Sequence, residues 1–344
     1  MDISCPLKEA SSSSIAWIDK HRCWTYKEID ELADCFAAEL FERGVRPFSR
    51  IATLIPPGPK FLALLFAAWR LGASLCPLNV RLPPAGIELA LQKLSPILFL
   101  QEDLPVSGKR KVIQRFDASL PALFLTTSGS TGEPKIAALS AESLFQNAKG
   151  ALALLDLQAN DRWLLQLPIF HVGGIGILLR CLLAKSAVVS DPGYQAITHL
   201  SCVPTHLQRA TPIYKTLRSV LLGGAPVYSY PERLPIIVTY GLTEMGSMVL
   251  AKKGPVDGYL GWPLDDREIK LAEDGEILVK GKCLFLGYLQ NGLIEPPQEW
   301  FATTDLGKFD EKNGYQITGR KDWQFISGGE NIQPEEIERY ILQI

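Results

Sequence analysis

A chain of 344 residues, 47% of them hydrophobic and 21% charged, is too long for one small module and too apolar for a disordered segment. Its 35 basic and 37 acidic side chains leave a formal charge of -2 and no basic run that could track a phosphate backbone, which argues against nucleic acid as a partner. The segment from Met1 to Ala10 has no basic stretch leading into an apolar one, and the longest apolar run, Phe61 to Trp69, is far short of a membrane span, so a cytoplasmic location without membrane insertion is expected.

In chain order, Lys27 to Arg43 reads as an amphipathic helix stopped by Gly44, and Arg50 to Ile55 as a strand. Pro56, Pro57, Gly58 and Pro59 break the chain before a second helical run, Lys60 to Leu71, and a buried strand, Ala73 to Leu78, completing a β-α-β unit. Strand-like runs recur at Ala122 to Thr126, Arg162 to Gln166, Ser186 to Val189, Leu200 to Val203, Ser219 to Leu222 and Ile236 to Thr239, separated by segments of helix length. Parallel sheets flanked by helices are the expected solution. After about Leu250 the pattern changes to tight hairpins, with Asp274-Gly275 and Asn313-Gly314 at the turns, so an antiparallel, barrel-like portion is expected. Pro334 with Glu335 and Glu336 suits a helix start, and Ile337, Tyr340, Ile341 and Ile344 form an apolar stripe whose expected partner lies in residues this chain lacks. The seven cysteines are scattered and never form C-x-x-C, and reduced packing thiols are expected.

Three stretches carry chemistry. Leu125-Thr126-Thr127-Ser128-Gly129-Ser130-Thr131-Gly132-Glu133-Pro134-Lys135 sets hydroxyls and glycines directly after an apolar strand and closes them with a lysine. Such a loop can turn backbone N–H groups inward around phosphates, with hydroxyls as further donors and the ammonium as positive charge. It is not a Walker A loop, because Pro134 stands five residues after Gly129 and no G-K-[ST] ending follows; a P-loop kinase is therefore rejected. Next, in Tyr240-Gly241-Leu242-Thr243-Glu244, the tyrosine face can stack on a purine, the threonine can hold a phosphate oxygen, and the glutamate can ligate magnesium. A helix N-terminus capped by Thr243 is the plainer reading of the same residues. Finally, Asp305 in Thr304-Asp305-Leu306-Gly307 can accept both ribose hydroxyls, and Arg320 in Thr318-Gly319-Arg320-Lys321-Asp322 can serve the same nucleotide, although each alone could be a surface charge.

Together and in this order, from about Ile51 to Ile344, these stretches resemble the core motifs of the adenylate-forming superfamily of acyl-CoA synthetases, nonribosomal-peptide adenylation domains and luciferases. Asp161 to Gly174, Val203 to Leu207, Val220 to Ala225, Trp300 to Asp305 and Phe325 to Glu336 are most similar to the o-succinylbenzoate-CoA ligases of menaquinone synthesis. The resemblance implies an α/β fold: a large domain, residues 1–319, in which two packed doubly wound sheet-and-helix subdomains fill about 1–250 and a smaller antiparallel β-barrel about 251–319. A hinge at 320–322 and the start of a truncated C-terminal domain at 323–344 would follow. It implies ATP-dependent activation of o-succinylbenzoate to an acyl-adenylate, then thioester formation with coenzyme A, with magnesium as the metal.

By that resemblance Thr127, Ser128, Gly129, Ser130, Thr131, Gly132 and Lys135 grip the β and γ phosphates of ATP, with Thr131 and Lys135 acting in catalysis. Gly223, Gly224 and Ala225 line the adenine and acyl pocket, and Tyr240 with Gly241 faces the purine. Thr243 touches the α phosphate, Glu244 holds magnesium, Asp305 takes the ribose, Arg320 contacts ribose or phosphate, and Asp322 is the pivot. His171 faces the acyl pocket and gates or orients the carboxylate, against the alternative of a hydrogen-bonded core histidine. For the second carboxylate of the acid, Gly173, Thr205 and Ser247 are the candidates, and no arginine clamp announces itself. The family's adenylation lysine lies beyond the hinge and is not assignable here, so this chain is expected to bind ATP and acid and to turn over poorly. A ligase for another aryl or medium-chain acid and a non-catalytic nucleotide-binding scaffold remain the alternatives, and the oligomeric state stays open.

Overall fold

Short apolar strands alternate with helices because each helix has one face that must be buried and each parallel strand has two. In the computed structural model, which describes residues 2–106, 108–127, 135–208, 214–227, 234–254, 257–323, 325–327, 330–332, 334 and 341, this alternation resolves into two large sheets. The first has seven strands in the order Leu293–Glu295, Gly287–Gln290, Lys135–Ser140, Pro121–Thr127, Ser74–Pro77, Arg50–Thr53 and Leu98–Leu100. Its last four strands are parallel and the rest antiparallel. Helix Pro59–Arg70, nearly all of it buried, forms the expected crossover between Arg50–Thr53 and Ser74–Pro77. Helix Tyr26–Glu42 starts at a capping box, in which Thr25 Oγ1 accepts from the Glu28 N–H and Glu28 Oε2 accepts from the Thr25 N–H.

The second sheet has eight strands in the order Ser247–Lys253, Ile236–Leu242, Ser219–Gly223, His199–Cys202, Arg162–Leu164, Ala187–Val189, Ile15–Ile18 and Cys23–Thr25. All but the two outermost strands run parallel. Trp69 anchors the main core between helix and sheet, its indole N–H donating to the Ala122 carbonyl at 2.7 Å. Six cysteines are buried as packing residues; Cys23 is exposed, because it sits on the edge strand of this sheet.

The hairpins after Leu250 form a four-stranded antiparallel sheet, Arg267–Leu271, Glu276–Gly281, Phe301–Asp310 and Gly314–Arg320, with Asp274-Gly275 and Asn313-Gly314 at the turns as read from the sequence. The hairpin Gly287–Glu295 departs from this pattern: it leaves the expected barrel span and pairs Gly287 with Ala138 and Tyr288 with Ala137 in the first sheet. The apolar strand Lys135–Ser140 would otherwise present an unpaired buried edge. Most of the helix expected from Pro334, including Ile337, Tyr340 and Ile344, lies outside the described residues, as do Ser128, Gly129, Ser130, Thr131 and Gly132. No helix among the described residues is long and apolar enough to cross a membrane.

Candidate active site

Parallel strands aim their carboxyl ends at one edge of a sheet, and a crevice opens where successive strands are added on opposite sides of a starting strand. Arg162–Leu164 is that starting strand: Ala187–Val189 lies on one side of it and His199–Cys202 on the other. The segments leaving these carboxyl ends carry His171, Thr205, Gly223 to Ala225 and Tyr240 to Glu244. Gly223 has no room for a side chain, since a Cβ there would collide with Thr239, while Gly224 (φ +77°) and Ala225 are exposed beside it. In the first sheet Thr127 and Lys135 stand opposite each other, so the strand pairing brings together the two ends of the expected phosphate loop.

At the expected nucleoside end, residues far apart in sequence converge. The Tyr240 hydroxyl donates to Asp305 Oδ2 at 2.6 Å, and Arg320 Nη1 donates to Asp305 Oδ1 at 3.0 Å, across a register in which Asp305 and Arg320 are paired. Arg320 also donates to both Asp322 oxygens, at 2.9 and 3.0 Å, and to Thr304 Oγ1 at 2.8 Å. Burial pushes the Asp305 carboxyl above the usual range despite its two donors, and burial, then the Asp305 charge, raises the Tyr240 phenol well above its ordinary value. Asp322 is exposed and held below the usual carboxylate range by its bond to Arg320. Thr304, just before the aspartate, is a β-branched residue in the left-handed region at φ +64°, a strain found mainly at functional turns.

At the expected phosphate end, Thr243–Met245 is a single 3-10 turn following strand Ile236–Leu242. Glu244 Oε1 accepts from the Tyr288 hydroxyl, and Lys135 Nζ lies 5.1 Å from the centre of the Tyr288 ring. Sequence reasoning missed Tyr288, whose only signal was an aromatic following Gly287 within the span assigned to the barrel. Among the described residues no cluster of three or more His, Cys, Asp or Glu side chains could hold a metal alone. A single carboxylate still fits magnesium, which keeps several waters and is usually bound through one or two carboxylates plus substrate phosphates.

Helix Val172–Ala184 carries the second residue that the sequence did not reveal. His171 precedes helix Val172–Ala184, makes no side-chain cap, and is lowered in pKa by desolvation and then by the Arg81 charge, so it is neutral at pH 7. Deep in the same helix, Arg180 is 2% exposed and pairs with no carboxylate among the described residues. Its Nη2 donates to Ser247 Oγ at 3.2 Å and to Asn147 Oδ1 at 3.4 Å, the guanidinium lies 5.9 Å from the Trp163 ring centre, and Nε has no partner. Burial, and secondarily the like charge of Arg267, lowers its pKa to about 10. Ser247 is therefore brought to a buried cation, whereas Thr205 is exposed on helix Pro204–Gln208 and Gly173 sits in the first turn after His171. A lone charge in the otherwise apolar Val172–Ala184 was the available signal.

The chain belongs to the AMP-binding enzyme family, which it matches over residues 8–115 and 99–289. It is 36% identical over 343 residues to the 2-succinylbenzoate–CoA ligase of Haemophilus influenzae, covering 93% of this chain and 75% of that one. Identity to the 2-succinylbenzoate–CoA ligase of Salmonella typhimurium is 35%, over 92% of this chain and 74% of that one. Among solved structures, wild-type E. coli MenE with a bound m-phenylether-linked analogue of OSB-AMS has a TM-score of 0.86 at 28% identity, covering 99% of this chain and 83% of that one. MenE from Bacillus subtilis in complex with ATP and magnesium ion shares the fold at a TM-score of 0.86 and 23% identity, over 99% of this chain and 85% of that one.

Proposed function

We propose that this chain is an AMP-forming 2-succinylbenzoate–CoA ligase of menaquinone biosynthesis, acting in the cytoplasm. The observation that carries the choice of acid is Arg180: a buried guanidinium with no protein carboxylate partner and a free Nε is a poor structural element and a good receptor for an anionic group. A dicarboxylic acid supplies one carboxylate to react and a second to bind there. Ser247, already hydrogen-bonded to Arg180, adds a hydroxyl to that receptor.

In the first half-reaction a carboxylate oxygen of the acid attacks the α phosphorus of ATP and the bond to the bridging oxygen breaks, so pyrophosphate leaves with the electron pair. In the second, the coenzyme A thiolate attacks the acyl carbon and AMP leaves. Asp305 accepts the ribose hydroxyls, held by Tyr240 and Arg320. Lys135, with the expected loop residues Thr127, Ser128, Gly129, Ser130, Thr131 and Gly132, takes charge developing on the pyrophosphate. Thr243 touches the α phosphate, and Gly223, Gly224, Ala225 and Gly241 let the nucleotide approach the backbone. Neutral His171 and Gly173 stand at the mouth of the acyl pocket, with Thr205 at its exposed rim, and Asp322 is the pivot of the hinge. Glu244 would hold magnesium, which would offset the repulsion between carboxylate and triphosphate.

Pyrophosphate release measured across a panel of acids tests the reading. Release with 2-succinylbenzoate well above that with benzoate and medium-chain acids is expected. Equal release with all acids would reduce the proposal to acid activation without this specificity, and no release with any acid would favour a nucleotide-binding scaffold. Arg180→Met is expected to weaken 2-succinylbenzoate about 30-fold, corresponding to the roughly 2 kcal/mol lower end for truncating one partner of a buried charge pair, with ATP affinity unchanged.

A further inference from the structure

We propose that Tyr288 is a positioning residue that orients Glu244 for a divalent cation and keeps its charge from pairing with Lys135; this rests on the reading of Glu244 as the metal carboxylate. The hairpin Gly287–Glu295 docks on strand Lys135–Ser140, so Tyr288 stands beside the strand that begins with Lys135. Two bonds tie the approach to this hairpin to Glu244: the Phe285 N–H donates to the Glu244 carbonyl at 2.7 Å, and the Tyr288 hydroxyl donates to Glu244 Oε1. The ring is fixed on other sides by Phe285, with centroids 4.9 Å apart, and by Phe301, at 6.4 Å.

The Lys135 ammonium stands over the same ring at 5.1 Å, with no ion pair between Lys135 and Glu244. A carboxylate and an ammonium this close to one tyrosine would neutralise each other if they met, and each would then be lost to its own ligand. The tyrosine separates them. Its π face satisfies the cation and its hydroxyl occupies one carboxylate oxygen, which leaves Oε2 for a metal that arrives with the nucleotide. The hydroxyl is the donor of this pair, because the Glu244 carboxylate oxygen can only accept.

The test is a double-mutant cycle on Tyr288→Phe and Glu244→Gln, read by direct Mn²⁺ binding in the presence of α,β-methylene-ATP, which cannot release pyrophosphate. Tyr288→Phe keeps the ring contacts, and an unchanged unfolding temperature confirms an intact fold. Tyr288→Met, lacking both ring and hydroxyl, must lose at least as much affinity. The expected result is a Mn²⁺ affinity lowered roughly tenfold by Tyr288→Phe, the low end for losing an outer-shell partner of a metal ligand. No further loss is expected when Tyr288→Phe is added to Glu244→Gln. Weakened binding in Glu244→Gln with none in Tyr288→Phe would overturn the role of Tyr288 alone, as would equal losses from Tyr288→Phe in both backgrounds. Unchanged Mn²⁺ affinity in Glu244→Gln would overturn the metal assignment and this proposal with it.

Discussion

Two buried arginines illustrate opposite uses of a charge. Arg70 has a fully enclosed side chain that pairs with Asp30 and, at 2.7 Å, with Asp34, and Lys8 adds a second cation to the same carboxylates. Arg70→Met strands two buried carboxylates with one partly exposed lysine, and a loss of about 3–5 kcal/mol is expected in denaturant unfolding. Arg180, equally buried, lacks such compensation, so Arg180→Met is expected to raise stability by about 1 kcal/mol while it weakens acid binding. The same denaturant series therefore moves in opposite directions for the two variants, and a large loss in Arg180→Met would mark it as structural. Asp305 sets a pH dependence. On the proposed reading its ionised carboxylate accepts the ribose hydroxyls, and burial holds its pKa above the ordinary carboxylate value. AMP affinity is expected to fall on acidification through this raised pKa, and in Arg320→Met, which removes a lowering charge, to fall at still higher pH. Titration of AMP against pH checks both.

At the scale of elements, the strands Arg162–Leu164, Ser219–Gly223 and Ile236–Leu242 were legible because each is an apolar run between breakers, and the turns at Asp274-Gly275 and Asn313-Gly314 because those pairs suit tight hairpins. Sheet membership was not legible. Pairing of Ile15–Ile18 with Ala187–Val189, and of Gly287–Gln290 with Lys135–Ser140, depends on which edge is free after folding, which no local pattern encodes. Tyr288 was missed for that reason, since its role follows from the strand it reaches. Arg180 was missed for a different one: the residues flanking it are apolar on both sides, and the burial of its charge becomes evident only when helix Val172–Ala184 is packed. Gly287 tests the docking. It holds φ +138°, and a Cβ would collide with the Glu295 carbonyl, so Gly287→Ala is expected to cost about 1–3 kcal/mol. Thermal unfolding would register that loss. Metal-free AMP binding, which depends on Asp305 in another sheet, is expected to persist.

Across the whole molecule, each of the three sheets contributes one edge of the site. Lys135 comes from the seven-stranded sheet, Tyr240 and Glu244 from the end of an eight-stranded-sheet strand, and Asp305 with Arg320 from the four-stranded sheet. The bonds Tyr240–Asp305 and Tyr288–Glu244 join these sheets at the residues proposed to take the nucleotide, so on that reading binding ATP and holding the sheets together draw on the same side chains. The order of the motifs along the chain was enough to single out Tyr240, Asp305 and Arg320, which the structure brings into one hydrogen-bonded group. The proposed acid receptor, Arg180 with Ser247, required the packed helix and the turn at Ser247. Isothermal titration with a non-hydrolysable 2-succinylbenzoyl-adenylate mimic, beside its benzoyl counterpart, tests the central claim most directly. Preference for the succinyl mimic by about 30-fold, lost in Arg180→Met, is the predicted result, on the same roughly 2 kcal/mol scale for a buried charge pair. Equal affinity of the unsubstituted chain for the two mimics would contradict it.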